Sequence, residues 1–213
     1  MSFSPRGRFL WAGLVLTNYA RAGRIWETGT WRELPPPPID YNGIIAGSVS
    51  PDEQLLAAGY ASGEVKLWSI PTGDPVAQPR AHAGGGVWVA FAPDGRTLAS
   101  AAGDGFVQLW DVPERRLLAR FQGDRNTARG PAFSSDGRRL ALAGGNTQEA
   151  LKLWDVATLR ELIALPAEGL YFMRTAFSPD GDALVAIDSN GVTHLWHAPS
   201  FAEIEMAERA GGR

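Results

Sequence analysis

The 213-residue chain contains no cysteine, which excludes disulfides, thiol catalysis and metal sites with cysteine ligands. Its longest apolar runs are far shorter than the roughly 20 residues that a membrane-spanning helix needs. The N-terminal residues also lack the apolar segment of a secretory signal peptide. A cysteine-free chain fits any compartment, and we expect this one to be cytoplasmic.

Charge of one sign is not concentrated in any run or stripe of the sequence. The chain has 20 Lys and Arg residues against 23 Asp and Glu residues, and its net charge of -3 is dispersed. A nucleic-acid-binding surface would show as a basic stripe, and a tail for a basic partner would be acidic. We therefore expect neither nucleic acid nor a membrane as a partner. The hydrophobic content of 45% is ordinary for a globular protein with a core.

The sequence does contain a short phrase repeated five times, an aliphatic residue followed by tryptophan at the end of a β-type run. The tryptophans of the five copies are Trp26, Trp68, Trp110, Trp154 and Trp196. They stand 42, 42, 44 and 42 residues apart. A fixed period of this size indicates a repeat protein. We predict one domain over residues 1–198, with repeats at about 1–38, 39–80, 81–122, 123–166 and 167–198.

A second phrase precedes each tryptophan, and the fifth unit has it in full as Phe177-Ser-Pro-Asp-Gly181. Proline presets φ, aspartate bonds back to the backbone and glycine accepts positive φ, so this phrase predicts a turn. The distance from the phrase to the tryptophan is longer in the first and fourth units. The extra residues fall before the tryptophan strand, and we predict them as loops at 17–23 and 144–149.

Each unit offers four short β-type runs bounded by Gly, Asp or Pro, which are strand signals. In the third unit these runs are 87–91, 97–101, 106–110 and 116–121. The fourth run mixes charged and apolar residues, as expected of the outer edge strand of a sheet. The four prolines at 35–38 are expected to form a stiff connector, and the alternative is a polyproline ligand for a small binding domain.

These phrases and their period resemble WD40 repeats, over about residues 1–198. The resemblance implies an all-β propeller whose four-stranded antiparallel blades surround a central channel, with about five blades in this chain. A short helix is expected in the tail, residues 199–213, because Ser200 and Glu203 have the spacing of a capping box. The ending is similar to that of bacterial WD40 proteins, some of which carry a serine/threonine kinase domain upstream.

The WD40 resemblance also implies a hydrogen-bonded tetrad of His, Ser or Thr, Asp and Trp in the best-preserved units. Here the third unit alone has all four residues, and they are His82, Ser100, Asp104 and Trp110. A catalytic alternative exists because Ser, His and Asp occur together. A nucleophilic serine would have to be exposed and face an oxyanion hole, whereas Ser100 lies in the middle of a strand. We expect a structural tetrad, no catalytic residue and no enzyme activity.

Cofactor and metal sites are not expected in this sequence. Asp180 and Asp182 form a turn pair without the further oxygen ligands of a calcium loop. The glycines at 84–86 are followed by neither a lysine nor a helix, so they do not predict a phosphate-binding loop. His194 and His197 flank a repeat tryptophan but have no visible third ligand for zinc.

The function that we expect is a non-enzymatic scaffold for a protein or peptide partner. Trp88, Arg129 and Arg174 fall near the starts of first strands and are residue types that anchor interfaces. The alternative for these three is core packing for the tryptophan and solvation for the arginines. Two other functions stay open: a sensory or regulatory domain of a serine/threonine kinase or other signalling enzyme, and a propeller hydrolase with a site in the channel. The mostly aliphatic first strands argue against the hydrolase.

The ends of the repeat pattern predict an incomplete ring. The first unit begins where its first strand is ending, and the fifth has no evident outer strand after Trp196. Propellers hold about four to eight blades, and the WD40 resemblance implies a ring of typically seven. We therefore expect the C-terminal portion of a longer bacterial protein, lacking roughly two blades.

An open blade edge favours pairing with another chain, so the sequence predicts poor solubility or self-association of this chain. Size-exclusion chromatography and thermal melting check this expectation. A sharp monomer peak with one cooperative melt would instead favour a closed five-bladed ring.

Overall fold

The computed structural model describes residues 2–15, 21–34, 43–77, 82–83, 85–144, 150–166 and 171–197. All regular structure in these ranges is β-strand. No described helix is long and apolar enough to cross a membrane. The predicted helix at 199–213 and the predicted connector at 35–38 lie outside the described residues.

Within these ranges nineteen strands form five antiparallel sheets, and each sheet is built from strands that are consecutive in the chain. The first sheet contains β1 (Ser2–Phe3), β2 (Phe9–Val15), β3 (Arg21–Glu27) and β4 (Arg32–Glu33). The second contains β5 (Ile44–Val49), β6 (Leu55–Tyr60), β7 (Val65–Ser69) and β8 (Pro75–Ala77). The third contains β9 (Val87–Phe91), β10 (Thr97–Ala102), β11 (Phe106–Asp111) and β12 (Arg116–Gln122).

The fourth sheet contains β13 (Arg129–Phe133), β14 (Arg139–Ala143), β15 (Leu151–Asp155) and β16 (Arg160–Leu165). The described strands of the fifth are β17 (Phe172–Phe177), β18 (Ala183–Asp188) and β19 (Thr193–His197). The predicted all-β propeller with four-stranded antiparallel blades is confirmed, and five blades are present. In the third sheet the predicted strands differ from the observed ones by at most one residue at an end.

The prediction of a loop at 17–23 is wrong for its last three residues. Residues 21–23 belong to β3 and pair with β2, where Val15 lies opposite Arg21 and Gly13 opposite Gly23. The two strands of this hairpin are seven residues long, against five or six for the same pair in the other sheets. The described end of the insertion, residues 21–23, therefore lengthens the hydrogen-bonded ladder, because these residues pair with β2.

Neighbouring sheets pack face to face through four apolar clusters, one at each junction between consecutive sheets. The aliphatic residue of the repeated pair packs against the next sheet, as Leu109 does against Leu140. The tryptophan packs against the preceding sheet, as Trp154 does in the same cluster. Successive side chains of a strand point to opposite faces, so one dipeptide serves two junctions. We call the face that packs against the next sheet the forward face, and the face that packs against the preceding sheet the rear face.

The turn phrase forms a repeated hydrogen-bond pattern at the start of the second strand. In the fourth sheet the Ser134 hydroxyl donates to Asp136 at 2.5 Å and accepts from the Arg139 amide at 2.9 Å. The hydrogen bond from Ser134 lowers the pKa of Asp136, so the turn holds an ionised carboxylate at neutral pH. The second and fifth sheets have the same arrangement around Ser50 and Ser178.

The first sheet lacks this aspartate, because Arg6 stands at its position. Glu53 of the second sheet supplies the carboxylate instead: it accepts the Ser4 hydroxyl and the Arg6 amide, the latter at 3.0 Å. Glu53 is 4% exposed and has φ of 63°, at the turn position where Gly95 and Gly137 stand in later sheets. The strained backbone of a non-glycine residue is thus compensated by a buried link between two sheets.

Gly59 shows how closely the second and third sheets approach each other. A Cβ built on Gly59 would lie 2.2 Å from the Val87 carbonyl oxygen, which is backbone and cannot move alone. We predict that Gly59→Ala lowers the free energy of unfolding by about 1–3 kcal/mol, the range for overpacking a core.

Chemical denaturation measures this loss, and Gly29→Ala is the matched control. A Cβ on Gly29 meets nothing within 4 Å, so its expected change is within about 0.5 kcal/mol. Equal effects at the two glycines would contradict the close packing of these sheets.

Candidate functional site

The first strands of all five sheets surround a central cavity of about 890 Å³. Its lining is mostly apolar and includes Ile45, Val89, Ala132 and Phe177. No Asp, Glu or His is among the described residues that line it. General acid–base chemistry needs such a group within reach of the substrate. The described lining therefore suits an apolar group.

The hydroxyl groups of the cavity wall are used to join neighbouring sheets. Ser48 of the second sheet accepts a hydrogen bond from the Phe91 amide at 3.1 Å. Thr175 of the fifth sheet donates to the Gly130 carbonyl at 2.5 Å. These bonds link β5 to β9 and β13 to β17 along the cavity wall.

An aromatic and cationic cluster lies at one mouth of this cavity. The Arg129 guanidinium carbon is 5.5 Å from the Trp88 ring centroid and 4.6 Å from the Tyr171 ring centroid. The three residues come from the third, fourth and fifth sheets, and Arg174 lines the cavity together with Trp88. We call Trp88, Arg129, Tyr171 and Arg174 the mouth cluster. The structure thus brings together the three residues that the sequence singled out as interface anchors.

Sequence reasoning missed Tyr171, which precedes the strand that carries Arg174. The repeat alignment places other residues opposite Trp88 and Arg129, because it assumes regular strands. The fifth sheet has a bulge between Phe172 and Arg174 in its pairing with β18. A bulge re-aims the side chains beside it, and the second sheet has one at the same repeat position, between Ile44 and Ala46.

The two arginines of the mouth cluster have different surroundings. Each contact of Arg129 with a ring is worth about 0.5–1 kcal/mol at an exposed site, so Trp88 and Tyr171 hold this guanidinium in place. Its Nε is buried and has no hydrogen-bond partner among the described residues. Arg174 is exposed and forms no ion pair within the described part of the chain. One arginine is therefore part of a rigid wall, and the other has its charge available.

The four tetrad residues form one chain of hydrogen bonds within the third sheet. The His82 Nδ1 lies 3.1 Å from an Asp104 carboxylate oxygen, and its Nε2 lies 3.0 Å from the Ser100 Oγ. The Trp110 indole N–H donates to the same Oγ at 3.1 Å. Burial lowers the pKa of His82, although the Asp104 charge opposes this shift. A neutral His82 then donates a hydrogen bond from Nδ1 to Asp104 and accepts one from the Ser100 hydroxyl at Nε2.

Hydrogen bonds link Ser100 to His82 and His82 to Asp104, as in the triad of a hydrolase. The surroundings of these residues differ from those of a triad. Ser100 is 0% exposed, and its Oγ is held by both His82 and Trp110. A substrate carbonyl cannot approach an oxygen in this position. The geometry therefore suits the satisfaction of buried polar groups rather than acyl transfer.

The repeat tryptophans of the fourth and fifth sheets have different contacts from Trp110. In the fourth sheet Leu142 stands at the Ser100 position, and the Trp154 indole N–H is buried without a partner among the described residues. In the fifth sheet His194 stacks on Trp196, with ring centroids 6.0 Å apart, and its Nε2 lies 3.2 Å from Asp188. His194 is thus engaged in a local contact. The described residues contain no group of three or more His, Asp or Glu residues suited to a metal ion.

The turn pair Asp180 and Asp182 and the glycines at 84–86 are the two remaining sequence motifs, and their described contacts are structural. Asp180 accepts the Ser178 hydroxyl and the Asp182 amide, as a turn residue does. Among the glycines at 84–86, Gly84 lies outside the described residues. Gly85 has φ of 83°, and a Cβ there would lie 3.1 Å from Gly103. This close approach of two backbones explains why glycine stands at both positions.

Comparison with known families gives one match. The model described as WD domain, G-beta repeat matches residues 42–69 and 73–111, which hold β5–β7 and β8–β11. No curated protein matches the chain. The second matched segment contains all four tetrad residues, His82, Ser100, Asp104 and Trp110.

The hydrogen bond between Ser100 and Trp110 predicts energetic coupling. In a double-mutant cycle of Ser100→Ala with Trp110→Phe, we expect a coupling free energy of about 1 kcal/mol. Urea denaturation of the three variants measures it. The same cycle with Trp154→Phe is the control, because Trp154 does not bond Ser100, and its coupling should be near zero. Equal couplings would contradict a tetrad that acts as one unit.

The lowered pKa of His82 predicts a pH dependence of stability. The unfolded chain takes up the His82 proton near its ordinary pKa of about 6.5, before the folded chain does. The free energy of unfolding should therefore be at its full value above pH 6.5 and fall as the pH drops below it.

Denaturation at pH 7.5 and pH 5.5 tests this effect against His82→Gln, which lacks the titrating group but keeps His194 and His197. Carboxylates titrate mostly below this range, with model values near 4. A variant with the same pH slope as the native chain would rule out a neutral, buried His82.

Proposed function

This chain is a WD40-repeat protein, and we propose that it acts as a non-catalytic scaffold that binds a peptide segment of a partner at the mouth cluster. WD40 propellers typically serve as protein-interaction scaffolds and are generally non-catalytic. The cavity lining and the buried Ser100 agree with that role, since neither offers a reacting group.

The observation that carries the proposal is the clamp of Arg129 between Trp88 and Tyr171. Tryptophan, tyrosine and arginine are the residues that most often dominate binding energy at interfaces. Here they are held by each other across three sheets before any partner binds. A preformed surface loses little side-chain freedom on binding, so more of its contact energy appears as affinity.

The chemistry of the mouth indicates the kind of segment that fits it. The apolar cavity below accepts an aliphatic or aromatic side chain, and the free guanidinium of Arg174 stands at its rim. A carboxylate bound to arginine forms a charge-assisted, often bidentate pair. We therefore expect an acidic residue next to an apolar residue in the partner segment. The regulatory-domain alternative rests on the family resemblance and has no separate support among the described residues.

Selection of peptides from a displayed random library, with the full chain as bait, tests this proposal. We expect enrichment of sequences that pair Asp or Glu with a large apolar residue. Fluorescence anisotropy then gives the affinity of a selected peptide. Arg174→Ala should weaken it by roughly ten- to a hundredfold, which corresponds to a hydrogen bond to a charged group. Trp88→Ala should weaken it to a similar degree.

Arg160→Ala is the matched control, because Arg160 is an exposed arginine on the outer strand β16, in the fourth sheet. Its peptide affinity should be unchanged. Selected peptides that bind the Arg174 and Trp88 variants as tightly as the native chain would place the binding surface elsewhere.

A further inference from the structure

A second cavity, of about 320 Å³, lies between the second and third sheets, beside the outer strand β8. Its described apolar lining comes from the forward face of the second sheet and the rear face of the third, and includes Leu67, Val76, Ala77, Leu98, Trp110 and Val112. An apolar cavity of about 150 Å³ is already large enough to bind benzene. This cavity therefore has room for a ring together with a short chain.

Arg115 distinguishes this junction from the next one along the chain. It stands in the turn between β11 and β12 with φ of 52°, and Leu159 stands at the same turn position of the fourth sheet with φ of 56°. Leu159 packs against the apolar cluster between the third and fourth sheets. Arg115 instead lines the cavity between the second and third. An arginine thus stands where the next junction has an apolar side chain.

The two charged residues that line the cavity differ in their contacts. Asp111 is 3% exposed, and its carboxylate accepts hydrogen bonds from Arg96 at 3.0 Å and from the Glu114 amide at 3.1 Å. Arg115 is exposed and has no ion pair with any residue that the structure describes. The charge of Asp111 is therefore compensated, and the guanidinium of Arg115 is available to a ligand.

We propose that this cavity binds a small apolar carboxylate. Its apolar group occupies the space lined by Leu67 and Trp110, and its carboxylate pairs with Arg115. Ligand sites are mostly apolar with a few polar groups that fix orientation, and arginine binds carboxylates by charge-assisted hydrogen bonds. The proposal goes beyond the proposed function, because no residue of the mouth cluster lines this cavity.

Phenylacetate and phenylacetamide are a matched pair of probes, since they share the ring and differ in charge. Titration of the native chain, followed by saturation-transfer NMR, gives both affinities. We expect phenylacetate to bind with a dissociation constant of roughly a millimolar or tighter. Phenylacetamide should bind about tenfold more weakly, because it forms no charge-assisted pair with Arg115.

Two variants of Arg115 separate the contributions of charge and space. Arg115→Gly should fold, because Gly73 stands at this turn position of the second sheet with φ of 73°. It removes the charge and should bind phenylacetate about tenfold more weakly, no better than phenylacetamide. Arg115→Leu copies Leu159 of the fourth sheet and should fill part of the cavity, so that neither probe binds measurably. Thermal melts check that both variants are folded.

Arg174→Ala is the matched control, because Arg174 is also an exposed arginine beside an apolar cavity. It should leave both affinities unchanged. Loss of binding in this variant but not in Arg115→Gly would assign the probes to the central cavity and overturn the proposal. A native chain that binds neither probe, or both equally well, would overturn it too, as would an Arg115→Leu variant with native affinities.

Discussion

The structure depends on the packing of one dipeptide in two directions. At each junction the aliphatic residue of one sheet packs against the next sheet and the tryptophan of that next sheet packs back against it, so Leu67 and Trp110 belong to one cluster. Because the two residues of a dipeptide are neighbours on a strand, neither contact can form without fixing the orientation of the sheet between them. Stability is thus held at the junctions between sheets, and each sheet gains from every neighbour that it has.

Some polar groups are fixed in different ways in the first, third and fifth sheets. The third sheet has the full hydrogen-bonded tetrad, the first borrows the Glu53 carboxylate from the second, and the fifth uses Asp188 with His194. The apolar junctions tolerate this variety, because each solution leaves the packing between sheets in place. The same junctions bring the first strands together around the cavity, and this convergence places Trp88, Arg129 and Tyr171 in contact.

Much of the fold could be predicted from the sequence, because its signals are local. Turn residues bound the strands of the third unit to within one residue, and the period located the five sheets. The contact of Tyr171 with Arg129 could not be predicted, since it joins residues of different repeat units and no local sequence signal marks it. Nor could the role of Glu53, whose partners lie more than 40 residues away. The choice of Trp88, Arg129 and Arg174 rested on residue type, and their binding role stays a prediction.

Amide hydrogen exchange, measured strand by strand in a dilute sample, tests the central claim that neighbouring sheets stabilise one another. Exchange reports the local free energy of opening. The third sheet has two neighbours and the tetrad, whereas the first and fifth each have one described neighbour. The account predicts slowest exchange in β10 and β11 and faster exchange in β2 and β18. Equal protection in all five sheets, or slowest exchange in the first or fifth, would contradict it.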